Sequence, residues 1–417
     1  MQRRRVVVTG MGAVTPIGND IPAYWAGLQH GISGSGPITR FDAAKFKTRF
    51  ACEVKQLDTA AFFDRKEIRK YDLYTQFAMI AADEAVRNAG IISSYTDLNK
   101  VGVIFSSGIG GLISFTSEIK DFVKADFTPR FSPFFIPKVI NSMAAGHISM
   151  KFGFKGPCFA TVSACASSAN ALIDACMYIQ NGKADAILAG GADAAVAEPG
   201  IGGFNSMQAL STNNDNWKEA SCPFDARRDG FVMGEGAGAL ILEEYEHAVR
   251  RGATIYAEVA GGGLSADAYH FTAPHPEGEG AVHAMQNAIA DAGITPAQID
   301  YINAHGTATP LGDVAEAKAI AQVFGNHAPE ISISSTKSMT GHLLGASGAI
   351  EAIASILALK NGIVPPTINH HEKDPVLEPL GLDFTFNTAR KRDLHYSMSN
   401  NFGFGGQNAT IIFKKAE

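Results

Sequence analysis

Residues 163–188, SACASSANALIDACMYIQNGKADAIL, and residues 341–366, GHLLGASGAIEAIASILALKNGIVPP, follow the same pattern. In each, small residues lead into an alanine-rich helical segment, an Asn-Gly pair ends it, and a strand follows. Residues 230–244, GFVMGEGAGALILEE, and 400–415, NNFGFGGQNATIIFKK, likewise each place a glycine-rich turn before a hydrophobic strand. We infer a duplicated α/β unit with halves 1–251 and 252–417. A site built from both copies would lie where the halves meet.

Short β-branched runs that end in glycine alternate with helical stretches along the chain, which predicts α/β architecture with buried strands. The runs are RVVVTG, KVGVIFSSG, DAILAGG, TIYAEVAGGG, IDYINAHG and ATIIFKK. Two segments interrupt the alternation, the charged residues 41–74 and the residues 114–137, which are rich in phenylalanine and proline. We expect both to be insertions that cover the core.

Composition excludes several classes of protein. The 417 residues are 46% hydrophobic and 18% charged with a net charge of −6, which is typical of a soluble globular protein and disfavours nucleic acid as the main partner. The five cysteines include no CxxC pair, so neither a disulfide framework nor a zinc site is indicated, and a reducing, cytoplasmic setting is expected. No uninterrupted apolar stretch of about 18 residues predicts a membrane span.

Cys165 lies where a helix should begin. Unpaired N–H groups and the helix dipole at such a position favour a thiolate, so the residue is a candidate nucleophile. Free cysteine is also commonly a buried structural residue. Taken alone, the segment supports both interpretations.

Two histidines favour the nucleophile. His305 and His342 each lie at a strand end, where open α/β sheets place their sites. Neutral imidazole groups beside an acyl-cysteine could donate to a thioester carbonyl or a departing carboxylate. The cation of Lys337, five residues before His342, would favour a neutral histidine. Asp313 and Glu316 could form ion pairs with that lysine. Alternatively, Asp313 could be an ordinary carboxylate at a helix start and Glu316 a carboxylate on a solvated helix face.

The segment NNFGFGGQN, residues 400–408, requires flexible backbone at its glycines. Phe402 and Phe404 within it could gate an apolar tunnel, although a tight turn before the last strand would explain the same glycines. Near the start of the chain, GMGAVTPIG lacks the full GxGxxG spacing of a dinucleotide-binding loop, so that function is disfavoured.

Four motifs together, SACASS, NAHGTATPLGD, STKSMTGHLLGASGA and NNFGFGGQN, resemble those of the β-ketoacyl-[acyl-carrier-protein] synthases, above all the elongating enzymes of bacterial fatty acid synthesis. The resemblance covers nearly the whole chain. It implies the thiolase-like fold, with two α/β halves in a five-layer αβαβα arrangement, and a homodimer. It also implies that no cofactor is needed beyond the phosphopantetheine arm of acyl carrier protein.

The resemblance implies decarboxylative Claisen condensation. Cys165 would accept the acyl chain, while His305 and His342 would assist decarboxylation of malonyl-carrier protein. The enolate would then attack the acyl-cysteine and give a 3-oxoacyl product two carbons longer. Phe404 would be the gatekeeper, and its N–H group with that of Cys165 would form the oxyanion hole.

Further positions take their roles from the resemblance alone. Asp313, Glu316 and Glu351 would support Lys337. Thr307 and Thr309 would contact phosphopantetheine, and the acyl pocket would be formed by Ile109, Phe204 and, offered across the dimer, Phe135. A monovalent cation, which some relatives hold, would lie near Asn303, Ala304, Glu351, Ser399 and Asn400.

Carrier protein is acidic in this family, so a local basic patch is expected. The run RKEIRK at 65–70 supplies candidate docking residues, namely Arg65, Lys66, Arg69, Lys70 and, further along the chain, Arg130. Gln208 and Asn213 depart from the pattern, since many relatives have arginine at these positions.

Three alternative functions differ from this one in residues that the sequence shows or leaves open. A thiolase would carry a second cysteine in the late glycine-rich loop, and residues 400–408 contain none. A non-catalytic chain-length factor typically lacks the nucleophile, so the presence of Cys165 argues against that function. A ketosynthase of a specialised polyketide-like or polyene pathway stays open, as does the preferred acyl chain length.

Overall fold

The computed structural model describes residues 3–416, and its strands run through all six segments that the alternation predicts. The strands are β1 (Val6–Val14), β2 (Gly36–Pro37), β3 (Phe50–Ala51), β4 (Val101–Ser106), β5 (Cys158–Phe159), β6 (Ala186–Asp193), β7 (Gly236–Glu244), β8 (Ala257–Ala266), β9 (Tyr301–Asn303), β10 (Ser332–Ser334), β11 (Ile363–Val364), β12 (Asp383–Phe384), β13 (Arg390–Lys391), β14 (Tyr396–Gly403) and β15 (Gln407–Lys415).

The α-helices are α1 (Ile21–Gln29), α2 (Arg65–Ile68), α3 (Leu73–Ala89), α4 (Leu112–Lys124), α5 (Phe135–Val139), α6 (Met143–Phe152), α7 (Ser167–Gln180), α8 (Glu198–Ser206), α9 (Tyr245–Arg250), α10 (Glu279–Ala292), α11 (Pro310–Phe324), α12 (Lys337–Thr340) and α13 (Ser347–Asn361). Short 3-10 helices cover Thr59–Ala61, Leu98–Lys100, Ala164–Ala166, Trp217–Glu219, Pro296–Gln298, Gly325–Glu330, Leu344–Ala346 and Glu378–Leu380.

The large sheet repeats its topology. Its strand order reads β5-β4-β6-β7-β1 through the first half and, in mirrored sequence, β8-β15-β14-β9-β10 through the second, with β12 at the far edge. Corresponding pairs have the same sense, since β4 and β9 lie parallel to both neighbours while β7 and β15 lie antiparallel to theirs. The two runs join through β1 and β8. The predicted duplication is confirmed; the boundary at 251/252 falls between α9 and β8 and stays a prediction.

Five layers follow from how the helices pack. Leu172 of α7 and Ile353 of α13 belong to one buried cluster with Leu240 of β7 and Ile411 of β15, so these two helices lie between the two runs of strands. Helices α3 and α6 cover the outer face of the first run, and α10 and α11 cover that of the second. The predicted thiolase-like αβαβα arrangement is therefore confirmed.

Glycine residues determine where the two central helices, α7 and α13, end and how closely they pack. Gly182 follows α7 and Gly362 follows α13 with φ of +69° and +63°, a conformation that costs glycine little and ends a helix. At Gly348 a Cβ atom would lie 2.6 Å from the backbone nitrogen of Ala169, so a side chain there would force α7 and α13 apart.

The two insertions lie at different depths. In residues 41–74, Phe50 and Cys52 are buried, as expected of a cover over the core. In residues 114–137 the expectation is wrong for α4, none of whose residues is buried. The phenylalanines of residues 114–137 pack on one another and not into the buried core. Phe115 and Phe131 both stack on Phe135. Among residues 3–416, no helix combines the length and apolar character that crossing a membrane requires.

Candidate active site

A cavity of about 590 Å³ opens where the carboxyl ends of strands from both halves meet. The first half contributes Cys165, and the second contributes His305, His342 and the two phenylalanines of the glycine-rich loop, Phe402 and Phe404. The structure thus brings together residues that the sequence places far apart. Their catalytic roles stay predictions.

Cys165 lies in a tight turn before α7. Ala164 has φ of +50°, and the 3-10 helix Ala164–Ala166 leads directly into α7. Ser167 fixes the turn, because its Oγ accepts from the backbone N–H of Ser163 (2.9 Å) and donates to the carbonyl of Ala164 (2.6 Å). A Cβ atom at Gly403 would lie 3.2 Å from the nitrogen of Cys165, so the glycine-rich loop can approach only without a side chain.

Burial raises the pKa of the Cys165 thiol to about 11, although Lys337 and the N–H groups of Phe404 and Cys165 oppose that shift. The N–H groups at the helix start do lower the pKa of the thiol, as expected, but desolvation by burial is the larger effect. The thiol needs a base to accept its proton. The N–H groups of Phe404 and Cys165 both lie close enough to the sulfur to lower its pKa, so they are beside the position of the predicted oxyanion hole.

Glu316 holds the backbone at His305. Its two carboxylate oxygens accept from the N–H groups of His305 (2.8 Å) and Gly306 (2.7 Å). The imidazole Nδ1 of His305 is buried without a hydrogen-bond partner among the described residues. Its ring lies 5.4 Å from the ring of His342 at 87°. Two imidazole groups therefore face one part of the cavity.

His342 is fixed at both ends. Its backbone N–H group donates to the carbonyl of Val232 (2.8 Å), and its imidazole Nδ1 shares a hydrogen bond with Ser347 Oγ (2.9 Å). Burial lowers the pKa of both His305 and His342 well below 6.5, and the cation of Lys337 lowers it further. The predicted neutral form is confirmed, with burial as the larger cause. A neutral imidazole can accept a proton from a thiol through one ring nitrogen, or donate a hydrogen bond from the N–H group at the other.

Lys337 pairs with Glu351, and not with Asp313 or Glu316. The lysine is 1% exposed, its Nζ contacts Glu351 Oε1, and Asn401 Nδ2 donates to Glu351 Oε2 at 2.7 Å. The predicted pairing with Asp313 and Glu316 is wrong, because those carboxylates face backbone donors instead.

Asp313 and Glu316 secure the loop that follows β9. Asp313 accepts from the N–H groups of Phe224 (2.8 Å) and Ala308 (3.1 Å). Burial raises the pKa of Asp313 to about 6 and that of Glu316 to about 7. The loop presents Thr307 and Thr309 to the cavity with their hydroxyl oxygens 3.0 Å apart. Both carboxylates thus position the residues predicted to meet the pantetheine arm.

Models of the two beta-ketoacyl synthase domains match residues 3–248 (N-terminal domain) and 256–371 (C-terminal domain). The chain belongs to the beta-ketoacyl synthase family. It is 48% identical to the 3-oxoacyl-[acyl-carrier-protein] synthase 2 of Synechocystis sp. over 100% of this chain and 99% of the relative. The same figures hold for the enzyme of that name from Coxiella burnetii.

Solved structures agree with this membership. A beta-ketoacyl synthase from Burkholderia phymatum superposes with a TM-score of 0.91 at 37% identity, over 99% of this chain and 100% of that one. A second match is a chain from the structure of a type II polyketide synthase acyl-carrier protein in complex with its ketosynthase. It superposes with a TM-score of 0.90 at 34% identity, over 100% of this chain and 100% of that one.

The acyl-pocket candidates of this synthase separate into two groups. Ile109 and Phe204 line the cavity, and the ring of Phe204 lies 6.3 Å from that of Phe404. Phe135 lies outside the cavity of its own chain, in the aromatic cluster of α4 and α5. It stays a candidate only for a pocket completed by a second copy.

The predicted docking residues Arg65, Lys66, Arg69, Lys70 and Arg130 are all exposed. The first four lie in and just after α2, whose start is capped by Asp64. Gln208 lines the cavity wall with φ of +55°, and Asn213 is exposed in the loop beyond it. The docking roles stay predictions.

The predicted cation residues fit a small cation in part. Asn303 Oδ1 and Ser399 Oγ are buried and have no hydrogen-bond partner among the described residues, which is costly for a polar group. Glu351 and Asn400 already bind Lys337, Asn401 and Thr410. Asn303 and Ser399 would hold the ion, which would supply only local charge and structural support.

Asp193, at the end of β6, is a residue that the sequence analysis missed. Its carboxylate accepts from Ser107 Oγ (2.7 Å) and from the N–H groups of Gly108 (2.9 Å), Ile109 (3.2 Å) and, in the other half, Gly345 (2.7 Å). Burial raises its pKa to about 6. An acidic residue at the end of a buried strand was the available signal.

Proposed function

We propose that this protein catalyses the decarboxylative Claisen condensation of an acyl chain with malonyl-acyl carrier protein in fatty acid elongation. The observation that carries the proposal is the cavity in which a buried thiol of one half faces two neutral imidazole groups of the other. Support also comes from the full-length identity to curated 3-oxoacyl-[acyl-carrier-protein] synthase 2 enzymes.

In the first step, Cys165 takes the acyl group. A neutral imidazole accepts the thiol proton, and the sulfur attacks the carbonyl carbon of the acyl-pantetheine thioester. The N–H groups of Cys165 and Phe404 donate to the oxygen that becomes negative. The new thioester bond forms on Cys165, and the carrier thiol leaves with the proton.

In the second step, malonyl-carrier protein enters the emptied cavity. The bond to the carboxylate carbon breaks, CO₂ leaves, and its electron pair forms an enolate that N–H groups of His305 and His342 stabilise. The enolate carbon attacks the acyl-cysteine carbonyl, and the Cys165 sulfur departs. The product is 3-oxoacyl-carrier protein, two carbons longer than the acyl chain.

Acyl carrier protein is the proposed partner. A relative's ketosynthase has been solved in complex with one. A specialised pathway is less favoured, because the matched type II polyketide synthase structure is 34% identical whereas the 3-oxoacyl-[acyl-carrier-protein] synthase 2 enzymes are 48% identical.

A homodimer and a cytoplasmic location complete the proposal. Two observations support the dimer. The strand β5 lies at the free edge of the large sheet, and Phe115 of α4, Phe131 of the following loop and Ile136 of α5 are exposed. Exposed apolar groups and an open edge are stable when a second copy covers them. Light scattering should give twice the chain mass of 44.1 kDa; the chain mass itself would contradict the dimer.

The condensation is tested by incubating the enzyme with acyl- and malonyl-carrier protein and measuring the products by mass spectrometry. Wild type should give the product extended by two carbons. Cys165→Ala should lower the rate by about 1000-fold or more, since nucleophile removal is among the largest losses known. Cys176→Ala, a buried cysteine of α7 outside the cavity, is the matched control. Normal elongation by Cys165→Ala would contradict the mechanism.

A further inference from the structure

Residues 45–49 carry three cations on one exposed face. Along this segment Lys45, Lys47 and Arg49 are exposed, whereas Phe46 is half-buried and Thr48 is buried. The alternation places all three charged side chains toward solvent and the others toward the protein. We call Lys45, Lys47 and Arg49 the rim surface.

The segment is fixed to the wall of the active-site cavity. Thr48 Oγ1 donates to the carbonyl of Ser211 (2.6 Å) and accepts from Asn205 Nδ2 (2.8 Å). Asn205 belongs to α8, whose neighbouring residue Phe204 lines the cavity, and Gln208 follows at the same wall. Gln208 lines the cavity and is itself exposed, so the cavity opens to solvent at this wall, and the rim surface has a defined position beside that mouth.

A second set of contacts orients the backbone between the cations. Asn214 Oδ1 accepts from the N–H group of Arg49 (2.9 Å), and Asn214 Nδ2 donates to the carbonyl of Lys47 (2.8 Å). Both bonds use backbone groups and leave the charged side chains available. The cations thus stand on a fixed support.

No carboxylate among the described residues pairs with these three side chains. Asp42, three residues before Lys45, and Asp215, next to Asn214, are exposed and form no ion pair with them among the described residues. In a protein of net charge −6, three unpaired cations at one cavity wall create a local positive potential. Gln208 and Asn213 beside them are neutral, and the exposed carboxylate of Asp229 in the same region accepts from the N–H group of Thr212 (3.0 Å).

We propose that the rim surface binds the carboxylate-rich face of the acyl carrier protein that delivers the substrate, separately from residues 65–70. The inference rests on the proposed function, which has a protein-tethered thioester entering this cavity. A tether enters only while its protein sits at the mouth, so a fixed cationic surface there meets that protein first. A lipid or nucleic acid would gain nothing from this position beside the mouth.

The test compares Lys45→Glu with Lys47→Glu in one variant against the matched control Lys155→Glu with Lys183→Glu. The control lysines are exposed and lie before β5 and β6, at the opposite ends of the strands from the cavity. At low salt, kcat/KM for malonyl-carrier protein should fall about tenfold in the rim variant and stay unchanged in the control. The difference should shrink at high salt, where charges are screened.

A second substrate separates the possible failures. With malonyl-pantetheine, which carries no protein, the rim variant should match wild type. Equal loss on both substrates, or equal kcat/KM of rim and control variants on carrier protein, would overturn the proposal. Loss of binding to anionic vesicles with unchanged carrier kinetics would also overturn it, in favour of a lipid. If wild type elongates neither substrate, the proposed function itself fails.

Discussion

The turn before α7 and the turn before α13 have the same backbone conformation but a different residue at their centre. Each is a 3-10 helix whose first residue has positive φ, +50° at Ala164 and +51° at Leu344, and each leads into a central helix. The middle residue is Cys165 in the first turn and Gly345 in the second. In the first, the side chain reaches the cavity; in the second, the backbone N–H group binds Asp193.

The difference shows how a duplicated unit can divide one reaction. The second turn has no room for a nucleophile, because a Cβ atom at Gly345 would lie 2.4 Å from the nitrogen of Gly108. Instead it presents His342, which precedes the turn. In the proposed reaction, one copy would hold the acyl group, and the other would supply two imidazole groups that burial and, to a smaller extent, the cation of Lys337 keep neutral.

The largest expected effect concerns that cation. Lys337→Met leaves Glu351 buried without its partner, which should lower the free energy of unfolding by about 3–5 kcal/mol. Urea denaturation measures this. Lys318→Met, which removes a solvent-exposed partner of Glu277, should change stability little. An equally small loss for Lys337→Met would show that the pair does not hold the second half together.

Asp193 links the turn at Gly345 to the loop 107–109 that follows β4, so its removal should loosen both. Asp193→Ala leaves three backbone N–H groups without an acceptor and should cost about 3 kcal/mol. Because Ile109 lines the cavity, the ratio of kcat/KM between long and short acyl substrates should also change. Asp185→Ala, at the other end of β6, should leave that ratio unaltered. An unchanged ratio in Asp193→Ala would limit the residue to stability.

Gly345→Ala tests whether the second turn excludes a side chain. The added methyl group would meet backbone at 2.4 Å, which should cost about 1–3 kcal/mol through overpacking. Gly146→Ala in α6, where a Cβ atom meets nothing within 4 Å, should be neutral or stabilising. Equal stability of the two variants would contradict the proposed close fit around Gly345.

The smallest effect is one of pH. A histidine of ordinary pKa, about 6.5, would be only about one quarter neutral at pH 6. Since burial and Lys337 lower the pKa of His305 and His342, both should stay neutral there. Decarboxylation of malonyl-carrier protein by Cys165→Ala should therefore be nearly constant from pH 7.5 to 6. A severalfold fall over that range would contradict neutral imidazole catalysis.

The repeat and the site candidates could be predicted because their signals are local. The Asn-Gly pairs mark the ends of α7 and α13, and small residues around Cys165 mark its turn. Asp193 was missed since its partner Gly345 lies in the other half of the chain. Glu351 was among the three carboxylates expected beside Lys337, but which of them pairs with the lysine emerges only when the chain packs. The raised pKa of the Cys165 thiol likewise depends on burial, which follows from the packing of the two halves.

The division of the reaction between the halves is tested most directly by intact-protein mass spectrometry combined with CO₂ release. The variant with His305→Ala and His342→Ala should still end with one acyl group on Cys165, reached more slowly because the proton acceptor is gone, and should not decarboxylate malonyl-carrier protein. Cys165→Ala should show the reverse, decarboxylation without an acyl adduct. An acyl adduct on Cys165→Ala, or normal decarboxylation by the double histidine variant, would contradict the account.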